Sequence, residues 1–185
     1  MHDAVLRVAT PGDAPRVESL MKESIAVLFP RYYDAPQSAS AVRHVAVIDE
    51  QLLADGTYFV LEHEDELVAC GGWSRRDRLY TGSGESGSDF RILEPASEPA
   101  KVRAMFVRAD WTRRGLGRRI LEECEGAART EGYRRLALLA TLPGVPLYQA
   151  CGFTSIETIE VALVDGVKLA CVAMEKTITR QGGNQ

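Results

Sequence analysis

The sequence predicts an α/β domain with a mixed central sheet of about seven strands and helices on both faces. The first observation is the order of the predicted elements: strand, two helices, three strands, helix, strand, helix and two strands. The second is that strand and helix alternate in the middle of the chain, whereas β-hairpins stand on either side. The third is that 45% of the 185 residues are apolar, which is enough for one domain without metal or disulfide staples.

The first half of the chain contributes a strand, two helices and a hairpin. "AVLRVAT" predicts a strand, and "TPGDAPRVESLMKESIAVLF" predicts a helix that Thr10 or Asp13 caps. A weaker helix covers roughly 36–48, and "TYFVLEHEDELVACGGWSRR" predicts a β-hairpin with a charged turn. Gly71 and Gly72 in the second strand of this hairpin predict a bulge or a close backbone approach.

The second half begins with an irregular stretch. Residues 77–100, with "TGSGESGSD" at their centre, predict a loop. The strand "KVRAMFV" follows, then a helix over about 116–131, the strand "RLALLA" and the short helix "PGVPLYQAC". "FTSIETIEVALV" and "VKLACVAMEKT" predict a second hairpin around an Asp-Gly turn. We expect a single domain over 1–179 and a tail over 180–185.

Charge and composition exclude several classes of function. The formal net charge of −4 argues against general nucleic-acid binding, and no stretch approaches the roughly 18 apolar residues that would span a membrane. The N-terminus has neither the basic start nor the long apolar run of a secretory signal, and the four cysteines show no CxxC spacing. We therefore expect a cytoplasmic protein whose partners include neither nucleic acid nor membrane.

The basic residues are concentrated in one region. Residues 101–135 contain ten Lys and Arg against five acids, which gives this region a net charge of +5 and leaves −9 for the rest. A basic island in an acidic protein favours an anionic ligand of limited size, because the remaining surface would repel a polyanion. The acidic balance elsewhere mildly favours a cationic or amine ligand on the opposite side.

The centre of this island is "DWTRRGLGRRILEEC", a glycine turn that leads into a helix. The first N–H groups of a helix have no partner within it, and Gly115 and Gly117 leave them accessible to a phosphate or pyrophosphate. The surrounding arginines can neutralise such a group. These four are Arg113, Arg114, Arg118 and Arg119.

Two familiar phosphate loops do not fit this turn. The sequence has no Walker A run, and the dinucleotide fingerprint fails because Ile120 stands where its third glycine belongs. Taken alone, the glycines leave two interpretations open: a phosphate cradle, or only a tight turn from strand to helix.

The order of elements and a second motif distinguish these interpretations. "VRADWTRRGLGRRIL" resembles the acetyl-CoA motif of the GNAT superfamily of N-acetyltransferases, Gln/Arg-x-x-Gly-x-Gly/Ala, with Thr112 where Gln or Arg is more usual. About thirty residues on, "LYQACGF" resembles the second landmark of the superfamily, in which Tyr148 precedes Gly152 and Phe153. The resemblance covers essentially the whole chain and implies a mostly antiparallel sheet.

The resemblance implies how acetyl-CoA would be held. The pantetheine arm pairs with the backbone of Met105 and Val107 like an extra strand, and a backbone N–H near Phe106 or Val107 polarises the thioester carbonyl. Thr141 is a weaker substitute for an Asn that many relatives place near this position. The implied cofactor-binding residues are Met105, Phe106, Val107, Thr112, Arg113, Arg114, Gly115, Leu116, Gly117, Arg118 and Thr141.

The resemblance also implies catalytic roles. Tyr148 is the candidate general acid for the leaving thiolate, although its ring could instead only pack against Leu147 and Phe153. The strand 101–107 contains no acid, so the base is Glu98 in the preceding loop or acts through a water chain. Cys151 is more consistent with a core residue than with a nucleophile, because no histidine is placed nearby in the sequence.

The function implied is acetyl transfer from acetyl-CoA, as co-substrate and without a metal, to an amine of a small molecule or peptide. The alternative is a catalytically silent acyl-CoA-binding or regulatory module of the same fold. The sequence is also compatible with a homodimer. Aromatic residues of the first half predict either an acceptor pocket or core caps. These are Phe29, Tyr32, Tyr33 and Trp73.

Overall fold

Residues 4–78 and 91–178 are described by the computed structural model, and within them seven strands form one sheet. The strands are β1 (Val5–Val8), β2 (Tyr58–His63), β3 (Glu66–Ser74), β4 (Ala100–Val107), β5 (Arg135–Thr141), β6 (Thr154–Ala162) and β7 (Lys168–Thr177). Their order across the sheet is β1, β2, β3, β4, β5, β7 and β6. Only the central pair, β4 and β5, is parallel, which confirms the mixed and mostly antiparallel sheet.

Helices cover both faces of this sheet, as predicted. They are α1 (Ala14–Leu28), α2 (Ala35–His44), α3 (Glu50–Ala54), α4 (Leu116–Thr130) and α5 (Val145–Ala150). The first three pack on one face, where Met21 and Ile25 are fully buried. The other two pack on the opposite face, where Ile120 and Cys124 are fully buried. We call these the α1 face and the α4 face.

The helix predicted over 36–48 is shorter, and a separate short helix follows it. Asp34 caps α2 by accepting a hydrogen bond from the Gln37 amide at 2.8 Å, and the Gln37 side chain returns a bond to the Asp34 amide. The chain leaves the helix after His44 and becomes extended at Asp49, whose side chain caps α3 at the Gln51 amide. The two caps therefore fix where α2 and α3 begin, whereas hydrophobic periodicity extends the predicted helix past the end of α2 at His44.

The bulge predicted at Gly71 and Gly72 is confirmed. The register between β3 and β4 shifts between Cys70 and Gly72, and a Cβ at Gly71 would collide with the Met105 side chain. On the β4 side of this irregularity, Ala104 adopts a positive φ of 50°, and its carbonyl accepts a hydrogen bond from the Tyr58 hydroxyl at 2.7 Å. The irregularity changes the direction of the second half of β4.

Two predictions lie wholly or partly outside the described residues. The segment "TGSGESGSD" within the predicted loop 77–100 and the predicted tail 180–185 belong to them. In the part of the chain that the structure describes, no helix has the length and apolar character needed to cross a bilayer.

Candidate functional site

A gap opens in the centre of the sheet between β4 and β5. The two strands pair only at their first residues, Ala100 with Leu136 and Lys101 with Ala137, although both strands continue further. β5 meanwhile stays paired with β7 along its whole length, so β4 is the strand that separates from its neighbour. A cleft of about 760 Å³ passes through this gap and is lined from both faces of the sheet.

The two ends of the cleft have different linings. The end on the α4 face, which we call the α4 half, is formed by the glycine turn, the start of α4 and α5. Its lining residues include Thr112, Arg113, Gly115, Leu116, Gly117, Arg118, Leu147 and Tyr148. The end on the α1 face, the α1 half, is lined by Ser24, Leu28, Phe29, Arg31, Tyr32, Val45, Leu139, Val161, Leu163, Leu169 and Cys171.

The glycine turn leaves the N-terminus of α4 open towards the cleft. Arg113 and Gly115 have positive φ values of 64° and 81°, which produce a tight reversal before Leu116. The Arg119 amide is bonded back to the Gly115 carbonyl at 3.0 Å, so the helical amides before Arg119 point out of the helix end. A Cβ at Gly115 would have no atom within 4 Å, so the space beside this backbone is open.

Gly117 has a second reason to be a glycine that the sequence did not indicate. A Cβ at this position would lie 2.8 Å from Cδ2 of Leu147 in α5. The absence of a side chain therefore allows α5 to pack against the first turn of α4. This packing places the helix that carries Tyr148 beside the turn.

Two of the four arginines around the turn line the cleft. Arg113 and Arg118 do so, and Arg118 also donates to the Ala150 carbonyl at 3.1 Å. Arg114 instead lies over the Trp111 ring, 4.5 Å from its centroid, and Arg119 donates to the Ala4 carbonyl at 2.6 Å. The structure thus separates Arg114 from the other predicted phosphate-binding residues.

Thr112 and Thr141 both line the cleft, at its two sides. The Thr112 hydroxyl donates to the Ala109 carbonyl at 2.9 Å and so closes the turn that follows β4. Thr141 is the last residue of β5, where that strand has separated from β4. Thr141 therefore marks the end of β5, and Thr112 lies in the turn that follows β4.

The backbone of β4 has unpaired polar groups facing the gap. The Arg108 amide donates to the Val68 carbonyl of β3 at 2.9 Å, and Phe106, two residues earlier, pairs with Cys70 of the same strand. Because successive peptide groups of a strand point in opposite directions, the Val107 amide faces away from β3. Met105, Phe106 and Val107 all line the cleft.

Tyr148 lies at the inner end of the α4 half. Its side chain is buried, and its ring packs edge to face on Phe153 at a centroid distance of 5.7 Å. The hydroxyl makes no hydrogen bond to any residue in 4–78 or 91–178, and burial raises the pKa of Tyr148 above its usual range. The ring therefore packs against Phe153, and the residue also lines the cleft with a protonated hydroxyl, so the packing is compatible with either role.

Glu98 is not brought to the cleft. It precedes the paired end of β4, whereas the gap opens at the other end of that strand. Both carboxylate oxygens accept hydrogen bonds from Arg91 at 2.7 Å, and one also accepts from the Glu94 amide. The bond from the Arg91 guanidinium lowers the pKa of Glu98 to about 2, so this carboxylate is also a weak base.

The predicted aromatic residues divide into two groups. Phe29 and Tyr32 line the α1 half of the cleft, which agrees with the pocket interpretation. Tyr33 is buried and its hydroxyl is used twice, donating to the Ala170 carbonyl at 2.7 Å and accepting from the Leu142 amide at 2.9 Å. Trp73 is buried on the α4 face against Tyr133, which agrees with the core interpretation.

Most residues of the α1 half are not indicated by any local sequence pattern. Ser24 comes from α1, and four further lining residues come from the final hairpin: Val161, Leu163, Leu169 and Cys171. The alternation of apolar residues in this hairpin predicts a buried face. It does not predict that this face ends beside α1.

Comparisons with known proteins agree with this geometry. The sequence model of the "Acetyltransferase (GNAT) family" matches residues 22–153. A GCN5-related N-acetyltransferase structure from Rhodopseudomonas palustris is 19% identical, with a TM-score of 0.71, covering 96% of this chain and 98% of that one. No curated protein sequence matches this chain.

Two further solved structures have the same fold. The paia N-acetyltransferase of Thermoplasma acidophilum, in complex with coenzyme A, is 16% identical with a TM-score of 0.67, covering 95% of this chain and 99% of that one. The ribosomal-protein-S18-alanine N-acetyltransferase of Escherichia coli is also 16% identical, with a TM-score of 0.59 and 98% coverage of both chains.

Proposed function

Because this chain belongs to the GNAT acetyltransferase family, we propose that it transfers an acetyl group from acetyl-CoA to an amine of a small molecule or peptide. The observation that carries the proposal is the position of the gap between β4 and β5. It opens directly beside the exposed N-terminus of α4, so one continuous cleft joins an anion-binding turn to unpaired strand backbone. Acetyl-CoA has the matching parts, a diphosphate joined to an extended amide-containing arm.

The α4 half fits the diphosphate of coenzyme A. The amides before Arg119 supply donors and the partial positive charge of a helix N-terminus. The open space beside Gly115 lets an anion lie directly on this backbone. Arg113 and Arg118 line the same end of the cleft and neutralise the negative charge. Thr112 keeps the turn closed through its bond to the Ala109 carbonyl, and Leu116 and Gly117 supply backbone.

The pantetheine arm would lie in the gap as an added strand. Met105 and Val107 provide the β4 backbone that β5 does not use, because the pairing between these strands stops at Lys101 and Ala137. Thr141 at the end of β5 supplies a hydroxyl on the other side of the gap.

Acetyl transfer then needs one carbonyl to be polarised. When bound, acetyl-CoA supplies a thioester whose carbonyl carbon forms a bond with the amine nitrogen while the bond to sulfur breaks and the sulfur keeps the electron pair. The Val107 amide, which faces away from β3, is the donor best oriented to stabilise the negative charge on the carbonyl oxygen. Phe106 is less suited, because its amide points towards β3, as the Arg108 amide two residues later does.

Tyr148 would give its proton to the departing thiolate. Burial raises its pKa, so the hydroxyl stays protonated at neutral pH. The amine must arrive neutral and loses a proton on reaction, and we assign this proton to water in the cleft, since Glu98 lies elsewhere.

Thiol release from acetyl-CoA, measured with a panel of primary amines, tests this proposal. We expect CoA release that depends on the amine, together with the N-acetylated amine by mass spectrometry. Binding of acetyl-CoA without turnover on any amine would instead support the silent acyl-CoA-binding module. Heat-denatured protein with the same amines corrects for uncatalysed aminolysis.

A further inference from the structure

The α1 half of the cleft has an aliphatic lining. Its walls come from four separate elements: Leu28 at the end of α1, Leu139 in β5, Val161 in β6 and Leu169 in β7, with Leu163 between the last two. Three of these residues, Val161, Leu163 and Leu169, are at most 7% exposed, so the apolar surface is already part of a packed core. A ligand part that enters here replaces water against hydrocarbon.

Ser24 places one hydroxyl in this aliphatic lining. It lies in α1, is only 3% exposed, and lines the cleft. Its hydroxyl forms no hydrogen bond with residues in the described ranges 4–78 and 91–178, not even with the preceding helical turn. In the described ranges, four side-chain polar atoms are both fully buried and without a hydrogen-bond partner, and the Ser24 oxygen is not one of them. This oxygen therefore keeps some accessible surface, which we assign to the cleft that Ser24 lines.

Among the described residues, Arg31 is the exposed charged side chain that lines this end of the cleft. Among the described lining residues, the two charged side chains on the α1 side are Arg31 and Arg103. Arg31 is exposed, and Arg103 is buried and ion-paired with Asp49 at 3.2 Å. This local pattern is opposite to the acidic balance of the chain outside 101–135, which favoured a cationic ligand.

We infer that the acceptor is a primary amine on an uncharged, apolar body, and that the Ser24 hydroxyl accepts a hydrogen bond from its N–H. This inference rests on the proposed acetyl transfer. The lone pair of a neutral amine must stay free to attack the thioester, so its N–H groups are what the protein can hold. A hydroxyl that accepts such a bond orients the nitrogen, and the aliphatic walls bury the body.

The inference excludes a second cationic group on the acceptor. An ammonium group at the far end of the body would lose its water against Leu139, Val161 and Leu169, and Arg31 is the exposed charge that it would meet. Both effects oppose binding, since charge burial requires a partner of opposite sign.

A matched pair of amines tests the apolar body. n-Hexylamine and 1,6-diaminohexane have the same carbon chain and differ by one terminal ammonium group. Acetylation is followed by thiol release with the intact chain at saturating acetyl-CoA. We expect kcat/KM for the diamine to be roughly 100-fold lower. An equal or higher kcat/KM for the diamine would overturn the inference.

A matched pair of serine variants tests the hydroxyl. Ser24→Ala removes it from the cleft, and Ser38→Ala removes an enclosed, partnerless hydroxyl of α2 that does not line the cleft. We expect Ser24→Ala to lower kcat/KM for n-hexylamine about 5-fold, with the Kd for acetyl-CoA unchanged. Ser38→Ala should leave both values unchanged. Equal kcat/KM values for Ser24→Ala and the wild type would overturn the role of Ser24.

These outcomes separate the inference from the function on which it rests. If acetyl-CoA binds but no amine releases thiol, acetyl transfer itself is overturned, and the acceptor class with it. If amines are turned over but the diamine is preferred, acetyl transfer stands and the apolar acceptor is overturned.

Discussion

The two halves of the cleft are built from the chain in different ways. The α4 half comes from one continuous run, 112–118, and from α5 about thirty residues later. The α1 half is assembled from α1, the segments after α1 and α2, β5 and the final hairpin. The α4 half presents backbone amides and arginines, whereas the α1 half presents mostly apolar side chains together with the Ser24 hydroxyl, Tyr32 and Arg31. A local turn can specify an anion site, but a pocket shape depends on how distant elements pack.

The largest expected effect of a substitution is at Tyr148, where the two halves meet. Tyr148→Phe keeps the packing on Phe153 but removes the proton donor, so kcat should fall about 100-fold or more while the Kd for acetyl-CoA changes little. Steady-state kinetics and calorimetry measure the two quantities. Tyr133→Phe, which removes a hydroxyl bonded to the Leu93 carbonyl outside the cleft, is the control.

Unchanged kcat in Tyr148→Phe would mean that the residue only packs. The raised pKa gives a further expectation: the acid is present below its folded pKa and is lost only as the pH rises through that value. Loss of Tyr148 as a donor should therefore cause no decline in kcat below about pH 10, the usual pKa of tyrosine.

The next largest effect is a difference in acetyl-CoA affinity between variants of two adjacent arginines. Arg113 lines the α4 half and Arg114 lies over Trp111, so Arg113→Gln should weaken acetyl-CoA binding about 10-fold and Arg114→Gln less than about 2-fold. Titration calorimetry at two salt concentrations measures this difference, which salt should reduce. Equal losses in the two variants would show that the side-chain directions do not matter for binding.

A smaller effect on stability and acetyl-CoA binding is expected when Gly115, in the turn before α4, is replaced by Ala. Gly115 and Gly166 have almost the same backbone, with φ values of 81° and 83°, and neither Cβ would meet an atom within 4 Å. Either substitution by Ala should therefore lower the free energy of unfolding by about 1 kcal/mol through the positive φ. Only Gly115→Ala should also weaken acetyl-CoA binding, by about 10-fold, because its methyl group enters the space for the diphosphate.

Denaturant unfolding and calorimetry on the two variants separate these effects. If Gly166→Ala weakens acetyl-CoA binding as much as Gly115→Ala, the loss comes from general destabilisation and not from the cradle.

The smallest effect is expected at Glu98. Glu98→Gln should leave kcat and both KM values unchanged, because the carboxylate pairs with Arg91 outside the cleft. Its pKa is lowered, so any stability from the pair is present above the usual glutamate pKa and is lost as the pH falls towards about 2. In thermal unfolding, the wild type should have a higher Tm than Glu98→Gln at pH 7, and this difference should disappear near pH 2. A large loss of kcat in Glu98→Gln would instead show that Glu98 takes part in catalysis.

Much of the fold and of the α4 half was predictable, for a physical reason. The period of apolar residues determines strands and helices, and Gly115 and Tyr148 stand in short motifs whose geometry is local. Side-chain directions were less predictable, because the sequence alone does not show which of Arg113, Arg114 and Arg119 points into the cleft. Arg114 and Arg119 contact Trp111 and the Ala4 carbonyl, and these contacts depend on tertiary packing.

The α1 half and the base could not be predicted from local patterns. Ser24 lies among the apolar positions of its helix, and only the position of β5 and of the final hairpin shows that it borders a cavity. Glu98 was chosen because it precedes β4, yet proximity along the chain does not tell which end of that strand separates from β5. This information resides in the register of the parallel pair.

The division of the cleft between two ligands is tested most directly by initial velocities over a grid of acetyl-CoA and n-hexylamine concentrations. The measurement compares wild type with Gly115→Ala and Ser24→Ala. We expect Gly115→Ala to raise the KM for acetyl-CoA and to leave the KM for n-hexylamine unchanged. We expect Ser24→Ala to lower kcat/KM for n-hexylamine and to leave the KM for acetyl-CoA unchanged. A rise in the amine KM in Gly115→Ala, with the acetyl-CoA KM unchanged, would contradict this division of the cleft.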